Sequence, residues 1–245
     1  MKNTEIFTCK AELYSKYRTG YPDEFVRCLY SDVGINANSC VADIGSGTGM
    51  FSKLLLERGC IVYGIEPNDS MRMIAERELA NYPSFHSINA TGENSLLPES
   101  SIDFITVAQS FHWLDAELFK TECRRILKQN GKVVVIYNRK NKSAEINIKT
   151  AELMKKFYPE YKDIINHWEI REHVIKNFFD NKYEFVEFKH DIVNNLEEFI
   201  GRTQSASFSK NEEIVLRELE NFFYCFSQEN IIRVPNDTIA YIGTI

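Results

Sequence analysis

The sequence predicts an α/β fold: helices on both faces of a seven-stranded, mostly parallel sheet with its last strand antiparallel, plus a helical insertion after the fifth strand. Three observations carry this. From about residue 40, short β-rich runs alternate with amphipathic stretches, as expected of parallel strands joined by crossover helices. After Asn138 the chain becomes charged, aromatic and helical in pattern, without glycine through Phe179. Near the C-terminus, alternation over Thr238 to Ile242 fits antiparallel closure of the sheet.

In order, Pro22 fits the first turn of a helix carrying Phe25, Val26 and Leu29, preceded by an arm around Tyr14 to Arg18. Strands are expected at Cys40 to Ile44, Ile61 to Glu66, Phe85 to Asn89, Ile102 to Ala108 and Lys132 to Tyr137. Phe51, Leu54, Leu55 and Leu56 cluster at helical spacing before the stop signal Gly59. Asp69 or Ser70 can cap a helix with Met73, Ile74 and Leu79. Asp115 can cap one with Leu118, Phe119, Ile126 and Leu127, whose last turn, before Gly131, holds Arg124, Arg125 and Lys128. The insertion is expected to be helical from about Ala144 to Phe179. A strand near Tyr183 to Ile192 and a helix from about Asn211 to Phe226 follow.

With 245 residues and 44% hydrophobic content, the chain can bury one sizeable core. We expect a single domain: an arm (1–36), a core (37–140), a helical insertion (141–182), and C-terminal strands and helix (183–245). The net charge of -6 offers no global attraction to nucleic acid or anionic lipid. The polar N-terminus and the lack of an apolar run of about 20 residues predict a soluble, cytoplasmic protein without a membrane span. Six scattered cysteines, without C-x-x-C pairs or accompanying histidines, give no metal site or redox dithiol and read as mostly buried free thiols.

Chemistry concentrates in Asp43-Ile44-Gly45-Ser46-Gly47-Thr48-Gly49, where a buried strand turns into a helix through three glycines at alternate positions. Glycine serves where backbone must approach a ligand or take positive φ. Such a turn ordinarily suggests phosphate binding, yet a dinucleotide fingerprint wants its third glycine or alanine three residues past the second. Here that position is Met50, and Asp43 would set a negative charge near a pyrophosphate. A carboxylate there suits a cationic ligand, such as one bearing an ammonium or sulfonium. Glu66 ends the second strand, where an acid can accept both hydroxyls of a ribose.

With Tyr14-x-x-Tyr17-Arg18-x-Gly20-Tyr21-Pro22, Gly64-Ile65-Glu66-Pro67, Thr91-Gly92-Glu93 and Gln109-Ser110-Phe111-His112-Trp113, the glycine turn makes five ordered motifs. Over about residues 11 to 140 the chain resembles the class I S-adenosylmethionine-dependent methyltransferases of small-molecule type. Within them it is similar to the trans-aconitate methyltransferase-like and the ubiquinone/menaquinone biosynthesis methyltransferase-like proteins.

The resemblance implies a Rossmann-like three-layer sandwich, S-adenosylmethionine as cofactor, and direct displacement onto a small-molecule acceptor with release of S-adenosylhomocysteine. By it, Asp43, Gly45, Ser46, Gly47 and Gly49 line the methionine and ribose part of the cofactor. Glu66 holds the ribose hydroxyls, Pro67 packs near adenine, Thr91 and Gly92 sit at its edge, and Gln109 lies beside the sulfonium. Tyr14 and Arg18 close over the methionine end, where Arg18 can pair with its carboxylate. Many relatives have Asp-Ala or Thr-Ala-Glu at Thr91-Gly92-Glu93, so backbone groups can make the adenine contact.

His112 is the candidate general base for a hydroxyl or amine acceptor, with capping of the helix entrance as its structural alternative. Trp113 reads as core. Phe157, Tyr158, Tyr161, Trp168, Phe178 and Phe179 read as packing of the insertion, an acceptor lid, and His167 as surface or core. Asn138 and Arg139 are candidates to face the acceptor. Gly201 to Ser207 resembles a Ser-rich stretch of the relatives, with no assignable role. The expected partners are a small-molecule acceptor but neither nucleic acid nor membrane, with a monomer or homodimer. Three other readings compete. An NAD-dependent oxidoreductase conflicts with the glycine spacing, and a nucleic-acid methyltransferase lacks a base-handling motif and a basic stripe. The last is a non-catalytic module built on the same fold.

Overall fold

The computed structural model describes residues 11–158, 172–206 and 212–245. The elements run α1 Ala11–Tyr17, α2 Asp23–Ser31, β1 Cys40–Ile44, α3 Met50–Leu56, β2 Ile61–Ile65, α4 Asp69–Glu78, β3 Phe85–Ile88 and β4 Ile102–Ala108. A 3-10 turn at Phe111–Trp113 leads to α5 Ala116–Ile126, β5 Leu127–Lys140 and α6 Glu145–Phe157. Then come a helical stretch at 172–178 (α7), β6 Glu184–Asn194, α8 Leu196–Gln204, α9 Glu213–Phe226 and β7 Ile232–Gly243.

The seven strands form one mostly parallel sheet with the last strand antiparallel, as the sequence predicts, and the structure gives its order as β3-β2-β1-β4-β5-β7-β6. β1 to β5 are parallel; β7 is antiparallel to both β5 and β6. One face packs Ile44, Val107, Val135 and Tyr241 against Phe119 and Cys123 of α5 and Ile175 of α7. The other packs Val41, Val62, Val134 and Ala240 against Phe25 and Leu29 of α2, Leu55 of α3 and Leu79 beyond α4. Apolar side chains on both faces of the central strands require helices on both sides, which gives three layers.

Several expectations are corrected. β7 is buried almost throughout, because it lies inside the sheet between β5 and β6 and is covered on both faces. The insertion is not all lid: Ile175, Phe178 and Phe179 enter the sheet-packing core, with Phe178 stacked on Phe119 at 5.5 Å, so α7 is a layer helix. Tyr158 is fully buried with α6 in a third cluster that also holds Phe199, Phe223, Ile232 and Val234. Tyr161, His167, Trp168, Ser207 and Asn211 lie outside the described residues.

Lys128 is not in the last turn of α5, which ends at Ile126. It lies in β5 and pairs with Asp103 at 2.9 Å, while Asn130, not Gly131, takes the left-handed φ of 67°. Pro22 stands at the N-cap of α2, one residue before its first turn. Asn68, not Asp69 or Ser70, caps α4 by accepting from the Met71 N–H at 3.0 Å. Asp115 caps α5 as expected, accepting from Glu117 and Leu118. Cys28, Cys60 and Cys123 are buried, Cys40 is half-buried and Cys225 is exposed.

The arm is strapped at both ends. Glu12 receives a bidentate pair from Arg77, next to α4 contacts of Ala11 with Met71 and Ile74. At the other end Lys16 and the Tyr17 hydroxyl both donate to Glu197 of α8. A Cβ on Gly201 would stand 2.5 Å from the Tyr17 ring, so only glycine lets α1 approach α8 this closely. In a Gly201→Ala variant the ring must leave, while α8 itself gains about 1 kcal/mol of helix propensity. We expect the melting temperature to hold or rise while trypsin cuts after Lys16 and Arg18 faster than in wild type; unchanged cleavage would mean the strap does not depend on Gly201.

Candidate cofactor and acceptor site

The strand order reverses between β1 and β4, and open α/β sheets bind ligands outside the carboxyl ends at that point. A cleft opens there. It is lined by the turn after β1 (Asp43, Gly45 to Thr48), the entry to α3 (Met50, Phe51) and the end of β4 (Ala108, Gln109). Asn138 of β5, Arg202 of α8, and Arg18, Thr19 and Tyr21 beyond α1 complete it.

Gly45, Gly47 and Gly49 take φ of 65°, 57° and 81°, the left-handed region that side chains disfavour. They differ in what surrounds them. A Cβ on Gly45 would sit 2.6 Å from that of Ser110, and one on Gly49 2.7 Å from Leu79 Cδ1, so those two glycines also serve packing. Around Gly47 a Cβ would meet nothing within 4 Å, which leaves its backbone open to a ligand on the cleft wall.

Two buried carboxylates fix this turn. Asp43 accepts from the Ser52 hydroxyl at 2.7 Å and the Thr106 hydroxyl at 2.9 Å, tying β1 to α3 and β4. Burial pushes its pKa up to about 6, opposed by those hydroxyls and reinforced by the charge of Glu66. Glu66 accepts from the Gly47 N–H at 2.9 Å and the Asn68 N–H at 2.8 Å, so it staples the glycine turn to the end of β2. Burial raises its pKa as well, against the pull of these N–H groups and Arg72. Each carboxylate oxygen has a second lone pair for a ligand.

Gln109 holds a left-handed φ of 63° while its N–H donates to the Ile136 carbonyl at 2.9 Å. A non-glycine residue held there marks a position the surroundings over-determine, here on the cleft wall. The Asn138 amide donates to the Gly20 carbonyl at 3.1 Å and its oxygen accepts from Thr238, joining the arm to β5 and β7.

Of the residues singled out in the sequence, Arg18, Asp43, Gly45, Ser46, Gly47 and Gln109 come together on the cleft. Gly49 caps α3 just behind it. Pro67 is exposed after Glu66 and Thr91 is exposed in a bridge with Asn94, both past the carboxyl ends of neighbouring strands. Gly92 is packed so tightly that a Cβ would lie 2.6 Å from Ile44 Cγ2. Glu93 accepts from the Asp115 N–H. Tyr14 belongs to α1, and its side chain lies outside the described residues.

His112 is not among the cleft-lining residues; its half-buried ring packs 4.7 Å from Trp113 and 6.2 Å from Tyr137. Trp113 is 41% exposed rather than core, because the 3-10 turn buries Phe111 in its stead. Arg139 pairs with Glu187 at 2.8 Å on the outer side of β5 and does not line the cleft. Sequence reasoning missed Arg202 as a cleft residue. The available signal was a cation between Phe199, Gly201 and Ser205, all buried.

Comparison with known proteins agrees with this geometry. Residues 42–135 match the family model described as a methyltransferase domain. A methyltransferase of Mycobacterium tuberculosis, uncharacterized, is 30% identical over 125 residues, 51% of this chain and 49% of that protein. Another from Geobacillus sp. is 34% identical over 138 residues, covering 53% and 64%. The chain thus spans about half to two thirds of the length of these curated relatives. A solved structure assigned as a type II methyltransferase, from Anaeromyxobacter dehalogenans, superimposes with a TM-score of 0.66 over 93% of this chain and 97% of that one, at 21% identity, which speaks to the fold. Residues 42–135, from within β1 to the middle of β5, thus carry the methyltransferase-domain match, on the sheet order of the class I S-adenosylmethionine-dependent methyltransferases.

Proposed function

We propose that the protein transfers the methyl group of S-adenosylmethionine to a small-molecule acceptor. The observation that carries this is the pair of buried carboxylates, Asp43 and Glu66, on either side of an open Gly47 backbone. Such a donor set fits a ligand that is cationic at one end and offers hydroxyls at the other, and it disfavours a pyrophosphate.

When bound, the cofactor supplies a methyl group activated by a positive sulfur, so the protein's task is approach and orientation. Asp43 would favour the cationic methionine end, and Glu66 would accept the ribose hydroxyls. Arg18 would pair with the carboxylate, with Tyr14 beside it on the arm. Gly45, Ser46, Gly47 and Gly49 shape the wall; Pro67, Thr91 and Gly92 would border the adenine. Gln109 would point the acceptor toward the methyl carbon from the end of β4. The acceptor's lone pair forms the new bond as the carbon–sulfur bond breaks and its electron pair returns to sulfur. Where the acceptor is a hydroxyl or amine, His112 would take the released proton, after reaching the cleft from its place beside Tyr137.

A cleft roofed by the arm and α8 suits a small acceptor, and the net charge of -6 does not favour nucleic acid. Among the described residues no helix is long and apolar enough to cross a membrane.

Calorimetry tests the cofactor. S-adenosylhomocysteine is expected to bind and NADH is not, and Glu66→Gln should weaken the former about ten- to a hundredfold by removing charge-assisted hydrogen bonds. Binding of NADH instead would replace this reading with a dinucleotide one.

The pH dependence of S-adenosylmethionine binding follows from Asp43. A cationic ligand favours the ionised carboxylate, so affinity should rise with pH through about 6 and level off above it. Asp43→Asn should bind more weakly at neutral pH and lose the dependence. A slope that persists in the variant would place the titrating group elsewhere.

A further inference from the structure

The cleft holds more positive charge than one cofactor carboxylate uses. Arg18 and Arg202 both line it, and Lys140 ends β5 two residues beyond the lining residue Asn138. Residues two apart on a strand share a face, so Lys140 lies on the face of Asn138. Register carries that face across the sheet: Asn138 is opposite Thr238, Lys140 opposite Asn236, and Asn236 opposite His190. α8 covers the next step of the same face, where its Phe199 packs with Ile192 and Val234. Beyond the apolar layer built on Val134, Ile136 and Ala240, this face therefore turns polar, and its charged members are all cationic.

Three observations mark this patch as a ligand site rather than a solvated surface. Among the described residues neither Lys140 nor Arg202 has a carboxylate partner. The Asn236 side chain is 2% exposed, yet its amide Nδ2 meets no hydrogen-bond acceptor there; a buried donor left unmet costs about 1–3 kcal/mol. The cations also crowd one another. Burial and then Arg18 push Arg202 down to about 9. Lys140 keeps an exposed surface, but desolvation around its ammonium, then Arg202 and Arg18, push it down to about 8. Crowded like charges beside an unmet donor are relieved by an anion.

We propose that Lys140, Arg202 and the Asn236 amide bind an anionic group, carboxylate or phosphate, of the methyl acceptor where β5, β7 and α8 meet at the cleft. The proposal rests on the methyltransferase reading, in which Arg18 serves the cofactor carboxylate and leaves two cations for the acceptor. It narrows the substrates to small molecules that carry a fixed negative charge beside the atom methylated. Arg202 supplies the planar fork suited to either anion, and Lys140 a point charge.

The test is calorimetry on the full chain saturated with S-adenosylhomocysteine, with succinate and pyrophosphate as separate probes. At least one should bind wild type, and the preferred one identifies the anion. Arg202→Met and Lys140→Met should each weaken it about tenfold or more, and Lys140→Met, which lies off the cofactor wall, should leave S-adenosylhomocysteine affinity within about threefold. Asn236→Asp, nearly isosteric, puts a carboxylate among the cations; it should raise the melting temperature and abolish anion binding. If neither probe binds a wild-type protein that does bind S-adenosylhomocysteine, or if the variants bind as wild type does, the proposal is overturned. Failure of S-adenosylhomocysteine to bind would instead defeat the cofactor reading, and the same anion titrations on the free protein would still decide this site.

Discussion

The site depends on one constraint: a strand-to-helix turn whose backbone takes positive φ three times and is held by two carboxylates that water barely reaches. Asp43 joins β1, α3 and β4 through Ser52 and Thr106, and Glu66 clamps Gly47 to the start of α4 through Asn68. Each acid is needed for the shape of the turn. Each is also pushed toward protonation by its burial, so a cationic or hydroxyl-bearing ligand at the turn relieves what folding imposes. On the proposed reading, structure and recognition use the same carboxylates, one directly before the glycines and one opposite them.

That coupling explains how much is legible in sequence. The parallel strands and the antiparallel last strand follow from the βαβ alternation and the terminal alternation, since parallel strands need crossovers; the order of the strands does not, because alternation leaves open which strands become neighbours. The glycine turn, Asp43, Glu66 and Gln109 are legible because their chemistry sits within a few residues of a recognisable strand end. The basic half of the cleft is not. Arg202, Lys140 and Asn236 come from three distant segments and meet only through the register of β5 with β7 and the docking of α8. No local pattern announces such a meeting.

Errors in the sequence reading share a cause. Lys128 looked helical because cations favour the last turn of a helix, but the partner that decides its place, Asp103, belongs to another strand. Trp113 looked like core because aromatic residues usually are, yet the short 3-10 turn has one inward position, taken by Phe111. The residues 172–178 looked like part of a lid because they lie within the insertion, 141–182. Their apolar face instead finds the uncovered end of the sheet beside α5. In each case tertiary packing overrode a correct local tendency.

The cleft is acidic toward β1 and basic toward α8, which on the proposed reading orders the ligands. Asp43 lines the β1 side, with Glu66 behind Gly47; Arg202 lines the α8 side, with Lys140 close to it at the end of β5 and Arg18 beyond the last residue of α1. A ligand with cationic and anionic ends is oriented by such a field before any close contact forms. The strap reinforces the order. α1 is bound to α4 through Glu12 and to α8 through Tyr17, so displacing either end would move Arg18, the next residue, which is proposed for the cofactor carboxylate. On the proposed reading, loosening the Gly201 contact should therefore weaken cofactor binding without touching Asp43 or Glu66.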